Sequence, residues 1–186
     1  MSTAAVHLAT IADAAEIARI QRVTWHAAYA ELLGPAALDM LDADELTQHW
    51  LEAIEHPGSD VYLALEGEFA VGFCAAGRAP EEEIAAADGT LPADAARTGL
   101  IATVLVEPRW GRRGHGGRLL AAAAAGLRER GAERGVTWAA QSDPASLAFF
   151  RGVGWHPDGT VRTLDTGERT VRELRLTGSL DLRLRD

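Results

Sequence analysis

The sequence predicts an α+β fold, and three observations carry that prediction. Val104 to Leu120 passes from a β-branched apolar run, through a Pro-terminated exit and a Gly-Arg-rich turn, into a helix of Leu and Ala. Leu100 to Val106 is a run of apolar residues broken only by Thr103, the form of a central strand covered on both faces. Strand and helix patterns alternate as far as Trp155, after which Thr160 to Leu164 and Thr170 to Leu176 flank Asp165-Thr-Gly167 as a hairpin.

The elements follow in order. Val6 to Thr10 reads as a short strand, and Thr10 caps a helix whose first turn carries Asp13. Ile17, Ile20, Thr24 and Ala28 recur at helical spacing, extending that helix to about Ala30, where Leu32-Leu-Gly-Pro35 breaks it. Asp44 to Glu55 is a second helix ending before His56-Pro-Gly58. Val61 to Leu65 and Ala70 to Ala75 are two strands joined tightly around Gly67. Arg78 to Arg97 lacks periodicity and reads as a long surface loop. Arg118 to Arg130 is a helix with Leu119, Ala123 and Leu127 on one face and Gly131 as its stop. Val136, Trp138 and Ala140 mark a fifth strand, and Asp143 caps a helix with Pro144 at its first position. Leu180, Leu182 and Leu184 alternate with charged residues, so the tail is expected to add an edge strand or to meet a partner.

Size and composition narrow the function classes. The 186 residues, with 47% hydrophobic and 24% charged, suit one domain spanning 1–186 with a full core. No apolar run approaches the roughly 18 residues of a membrane span, and Met-Ser-Thr-Ala-Ala lacks a basic, hydrophobic leader, so a soluble cytoplasmic protein is expected. Cys74 is the only cysteine, which excludes an intrachain disulfide, and as a mid-strand residue it reads as a small buried hydrophobe. All 18 basic residues are arginine and the net charge is −9, which argues against a nucleic-acid partner. The lysine-free, alanine-rich usage fits a GC-rich bacterial genome. His7, His49 and His156 show no ligand spacing, and no metal is expected.

The turn at 111–117 carries the clearest chemistry. Its glycines at 111, 114, 116 and 117 let backbone N–H groups approach a ligand, and the helix that follows adds its unpaired first-turn donors. Arg112 and Arg113 add positive charge, so the junction is an anion site suited to a pyrophosphate. A phosphate loop of the Gly-Lys-Ser/Thr kind is excluded because the chain has no lysine. The dinucleotide form fails too, since Gly114-His-Gly116 is followed by Leu119 and Val136 to Ala140 carries no acid. The plain alternative is a glycine-rich strand-to-helix turn with no ligand.

Val106-Glu-Pro108, Gly114-His-Gly116 and Leu119-Leu120 together resemble the acyl-CoA loop of the GNAT superfamily of N-acyltransferases. The family's usual Arg or Gln falls on Gly111, a departure. Asp143-Pro-Ala-Ser-Leu-Ala-Phe-Phe-Arg-Gly-Val-Gly-Trp155 resembles the family's second motif at the same separation, with Asp143 for Asn, Phe150 for Tyr and Trp155 for Phe. The resemblance implies a three-layer α/β arrangement. A mixed, mostly antiparallel sheet is flanked by helices and splayed between the fourth and fifth strands. It also implies acetyl-CoA as cosubstrate and a primary amine, small molecule or protein N-terminus, as acceptor. A homodimer is compatible with it.

By that resemblance, Arg112, Arg113, Gly114, His115, Gly116 and Gly117 would hold the pyrophosphate. The backbone amides of Val104, Leu105 and Val106 would receive pantetheine and the acyl carbonyl, with Leu105 as the oxyanion donor. Asp143 and Phe150 would border the cofactor. The family's glutamate base falls on Leu100 and its tyrosine acid on Phe150, so neither side chain is present. Glu107 is the remaining candidate base, against the simpler reading of a solvated turn residue. Tyr29 is the alternative acid, although a thiolate with a pKa near 8.5 is a tolerable leaving group unassisted. His115 reads as a surface histidine beside the phosphates. Trp25, His26 and Tyr29 are candidates for the acceptor pocket, with Trp25 and Tyr29 on one face at i, i+4; core anchoring is the alternative. The losses at 100 and 150 also motivate a second reading, a non-catalytic acyl-CoA-binding or sensing module.

Overall fold

The computed structural model describes residues 3–182. In chain order its elements are β1 (Ala4–Leu8), α1 (Ala14–Ala28), α2 (Ala30–Leu33), α3 (Pro35–Asp39), α4 (Ala43–Glu55), β2 (Ser59–Glu66), β3 (Phe69–Arg78), α5 (Glu81–Ile84), β4 (Thr98–Val106), α6 (His115–Glu129), β5 (Arg134–Ala140), α7 (Pro144–Gly152), β6 (His156–Asp165) and β7 (Thr170–Ser179). Among the described residues, no helix is long and apolar enough to cross a membrane.

The strands form one sheet in the order β1-β2-β3-β4-β5-β7-β6. Neighbours are antiparallel except β4 and β5, which run parallel. One face carries α6 and α7, through Leu119, Leu120, Ala123, Leu127, Leu147 and Phe150. The other carries α1 and α4, through Ile17, Ile20 and Trp50 against Val61, Leu63, Phe73 and Leu105. Near-continuous apolar runs in β3 and β4 are what a strand covered on both sides requires.

Trp155 locks the C-terminal half of the sheet. Its ring is fully buried, stacks on Phe150 at 5.7 Å and donates from Nε1 to the Ser179 carbonyl at 3.0 Å. A Cβ at Gly135 or Gly178 would overlap that ring, so the two strands that meet Trp155 each need a glycine there.

Several element boundaries differ from the sequence expectation. The first strand is Ala4–Leu8, not Val6 to Thr10, and Ile11–Asp13 forms a 3₁₀ turn before α1. That turn is closed by Asp13, whose carboxylate accepts from the Thr10 N–H at 2.7 Å and the Thr10 hydroxyl at 2.9 Å. The expected break at Leu32 to Pro35 is two short helices, α2 and α3, joined at Gly34. Helix α6 begins at His115, three residues before the sequence placed it, because Gly114 takes a left-handed φ of 80° and starts the turn. The segment 78–97 is not simply a surface loop: α5 buries Ile84 against Val136. Leu180 packs into the α6-side core and forms no edge strand; residues 183–186, with Leu184, lie outside the described residues.

Candidate functional site

The centre of the site is a fork in the sheet. β4 and β5 pair only at Thr98, Gly99 and Leu100 against Arg134, Gly135 and Val136. Above that short zipper they part, and the hydroxyl of Thr137 closes the crotch by donating to the Ile101 carbonyl at 2.8 Å. The register between β3 and β4 shifts at the same level, from Ala75 opposite Thr103 to Ala76 opposite Ile101. Ala102 is therefore the extra residue of a β-bulge, a device that bends a strand and re-aims its groups.

Ladder alternation fixes which β4 amides are open. The Glu107 N–H donates to the Val71 carbonyl at 2.9 Å, so 107 faces β3. In an antiparallel pair every second residue bonds across, so Leu105 and Thr103 also turn their N–H groups to β3. The N–H groups of Val104 and Val106 point the other way, into the fork. This corrects the expectation for Leu105: its amide is committed to the β3 ladder, and Val104 and Val106 flank it as the open donors. The cause is the two-residue period of the strand.

Beyond the fork lies the Gly-Arg turn. Arg112 at φ 61° and Gly114 at φ 80° are both left-handed, which folds the turn tightly before α6. Helix α6 makes its first bond from the Arg118 N–H to the Gly114 carbonyl at 3.0 Å, so the N–H groups of His115, Gly116 and Gly117 are first-turn orphans. None of the N–H groups from Arg112 to Gly117 has a protein acceptor among the described residues. The turn is braced rather than loose: Arg118 donates to the Arg113 carbonyl at 2.9 Å, and Arg113 stacks 4.9 Å over Trp110. A cradle of unspent donors with arginines beside it fits the diphosphate of a nucleotide-bearing cosubstrate.

The fork opens into a cleft of about 230 Å³. Val104 and Leu105 form one wall, Trp138, Ala139 and Ala140 of β5 the opposite one, and Asp143, Ser146 and Phe150 of α7 close an end. Trp25, Tyr29, Leu32 and Leu33 come from the α1–α2 junction, and Leu164, Thr166, Val171 and Glu173 from the terminal hairpin. Trp25 and Tyr29 thus meet in the cleft as their spacing predicts. His26 does not: one residue along α1 rotates it about 100°, onto an exposed depression with Arg19 and Arg22.

Tyr29 and Phe150 line the same cleft. Burial pushes the Tyr29 phenol up, and the Asp143 carboxylate beside it adds to the shift, so the hydroxyl holds its proton. Asp143 also caps α7, accepting from the Ser146 N–H at 3.1 Å and the Ser146 hydroxyl at 2.6 Å. The Tyr29–Asp143–Ser146 grouping joins residues more than a hundred positions apart, and no local pattern in the sequence announces it. Glu173 was not legible at all, because in sequence it is one more charged residue on an exposed hairpin.

Two further expectations change. Glu107 is neither solvated nor free: it is 1% exposed, with Oε1 held by Arg19 and Oε2 accepting from Arg109 Nε at 2.6 Å. It is not among the residues lining the cleft. Both oxygens are spent on guanidinium groups, so Glu107 anchors the β4 exit to α1 and is not placed to act as a base. His115 is not a surface residue, being 2% exposed with Nε2 2.9 Å from Glu66 Oε2 in a contact too bent for a hydrogen bond. Its side chain packs inward under the loop, and only its backbone N–H joins the cradle. Cys74 is fully buried and burial pushes its thiol up, in keeping with a packing role. Among the described residues no group of three His, Cys, Asp or Glu side chains could hold a metal.

Comparison with known proteins places this geometry. The model of the Acetyltransferase (GNAT) family matches residues 16–155. The PaiA N-acetyltransferase of Thermoplasma acidophilum, solved in complex with coenzyme A, superposes with a TM-score of 0.70 at 12% identity, over 95% of this chain and 99% of that one. YncA of Salmonella typhimurium, solved with its cofactor acetyl-CoA, gives 0.67 at 21% identity, over 96% and 94%. The ribosomal-protein-alanine N-acetyltransferase of Brucella melitensis gives 0.72 at 20% identity, over 94% and 99%. No curated protein matches the chain in sequence.

Proposed function

The chain belongs to the Acetyltransferase (GNAT) family, and on that premise we propose that it transfers the acetyl group of acetyl-CoA to a primary amine, a small molecule or a protein N-terminus. The observation that carries this reading is the fork itself. Two strands part directly below a cradle of six unspent amides, and the parted edge of β4 offers the N–H groups of Val104 and Val106. PaiA and YncA, which share the fold, were solved with coenzyme A and acetyl-CoA.

In this reading the amides of Arg112 to Gly117, with the guanidinium groups of Arg112 and Arg113, hold the diphosphate. The pantetheine arm lies in the fork, bordered by Asp143 and Phe150. The Val104 N–H, with Val106 as its neighbour on the open edge, donates to the thioester carbonyl oxygen. Fixed donors aimed at a developing oxyanion are worth about a hundredfold or more in rate. The amine nitrogen attacks the carbonyl carbon and the C–S bond breaks. The attacking nitrogen loses its proton to water, and the departing sulfur takes one from the Tyr29 phenol, which solvent then reprotonates. Tyr29, at the α1–α2 junction, so supplies the hydroxyl that Phe150 lacks.

Calorimetry with CoA, run beside thiol release from acetyl-CoA over a mixed amine panel, tests the proposal. Binding accompanied by amine-dependent release is expected. Binding without any amine-dependent release would leave the acyl-CoA-binding module in its place.

A further inference from the structure

We propose that the acceptor is a compact monocationic amine with an apolar body and no carboxylate, that Glu173 receives its ammonium group, and that this ammonium passes one proton to solvent before its freed lone pair attacks the thioester carbon. The inference rests on the acetyl-transfer reading and deepens it. Its basis is a charge imbalance in one wall of the cleft.

Glu173 lies on β7 opposite Arg162 of β6, with Ala140 of β5 on its other side. Its Oε2 accepts from Arg162 Nε at 2.6 Å, while Oε1 has no hydrogen-bond partner among the described residues. Arg162 is shared: it also donates from Nη1 to Glu83 Oε2 at 3.0 Å and stacks 4.2 Å over Trp138. Glu83 in turn accepts from Trp138 Nε1. Two carboxylates thus share one guanidinium, leaving one negative charge over. The neighbouring Arg175 does not cancel it, because that cation is matched by Asp158 at 2.7 Å. A single ammonium on Glu173 Oε1 would complete the alternation of charges.

The rest of the cleft sharpens the class. Asp143 also lines the cleft and has no cationic partner among the described residues, but each of its oxygens accepts from Ser146, whereas Glu173 Oε1 accepts no hydrogen bond. No arginine or histidine lines the cleft among the described residues, so a carboxylate on the acceptor would meet no countercharge. Trp25 and Tyr29 offer aromatic faces, which attract a cation and accommodate an apolar body. The cleft of about 230 Å³ also receives the end of the pantetheine arm, so less than that is left for the acceptor, which favours a small one.

Thiol release from acetyl-CoA would be measured with four acceptors: phenethylamine, phenylalanine, spermidine and an alanine-initiated hexapeptide. Phenethylamine is expected to give the highest kcat/KM, exceeding phenylalanine by roughly tenfold or more, because a buried, unmatched carboxylate is costly. Glu173→Gln is expected to raise the phenethylamine KM by about tenfold, the scale of one charge-assisted hydrogen bond, and to narrow the preference over phenylalanine. Its affinity for CoA, measured by calorimetry, should not change, and Glu173→Asp should recover part of the loss. A merely structural Glu173 would not alter discrimination between an amine and its carboxylated analogue. Turnover led by phenylalanine, spermidine or the hexapeptide would overturn the inference and leave acetyl transfer standing. So would a Glu173→Gln enzyme with unchanged selectivity. Intact CoA binding with no release from any of the four would remove the acetyl-transfer reading and this inference with it.

Discussion

At the scale of single residues, the decisive pair is Tyr29 and Phe150. Phe150 is 6% exposed and holds its ring between Phe149 and Trp155, so it is a packing residue at the border of the cleft. Phe150→Ala is expected to cost about 3–5 kcal/mol of stability, read from denaturant unfolding. Tyr29→Phe keeps the ring and removes only the hydroxyl. It should lower kcat by about 10²-fold or more, within the usual contribution of a general acid, while CoA affinity stays intact. An unchanged kcat would return the thiolate to unassisted departure. Glu107 supplies the contrasting case, a carboxylate that sequence offers as a candidate base or a solvated turn residue and that is structural in space. Glu107→Gln leaves the Arg19 and Arg109 charges without their shared anion, a loss of about 1–3 kcal/mol. Its kcat should remain within about twofold of the parent, because an anchor outside the cleft contributes nothing differential to the transition state. A collapse of kcat in a well-folded Glu107→Gln protein would restore it as the base. Sequence could not separate these roles: Glu107 before a proline has the pattern of a surface turn, and its burial depends on Arg19, 88 positions away.

At the scale of elements, what was legible is what local chemistry decides. The strand, turn and helix of 98–129 declare themselves by a change of hydrophobic period and by glycines clustered between them. The cap at Asp143 and the hairpin at Asp165-Thr-Gly167 are equally local. Gly114 tests this junction, since its left-handed φ starts α6 and aligns the free amides. Gly114→Asp would strain that turn and place a carboxylate beside the diphosphate. CoA affinity should fall by about tenfold or more, with the fold retained by circular dichroism; unchanged affinity by calorimetry would displace the diphosphate from this loop. What sequence could not give is decided by distant partners. The short helix α5 has a single buried apolar residue, Ile84, and is tied down by Trp138, Arg162 and Arg175 from strands still to come. His26 needed only a stricter helical wheel, since its 100° offset from Trp25 already turned it away. The fork entered the reading through family resemblance alone, because no local pattern says where a parallel zipper stops.

At the scale of the whole molecule, the sheet is two blocks, β1 to β4 and β5 to β7, joined through a three-residue parallel zipper and through Thr137. A cosubstrate held in the fork would touch both blocks, the Val104 side and the Ala139–Ala140 side, and would act as a missing length of ladder between them. Binding to the folded state alone stabilises by mass action, about 2.7 kcal/mol at a ligand concentration a hundred times Kd. For a chain of this size each kcal/mol moves Tm by roughly 2–4 °C, so saturating CoA should raise it by about 5–11 °C in a calorimetric scan. The Gly114→Asp protein should show little of this rise at the same concentration, because its occupancy falls with its affinity. Pantetheine without the nucleotide should raise Tm less, since it fills the fork and leaves the amides of 112–117 unmatched. A CoA-induced rise that survived in full in the Gly114→Asp protein at the same concentration would displace the diphosphate from the cradle of 112–117.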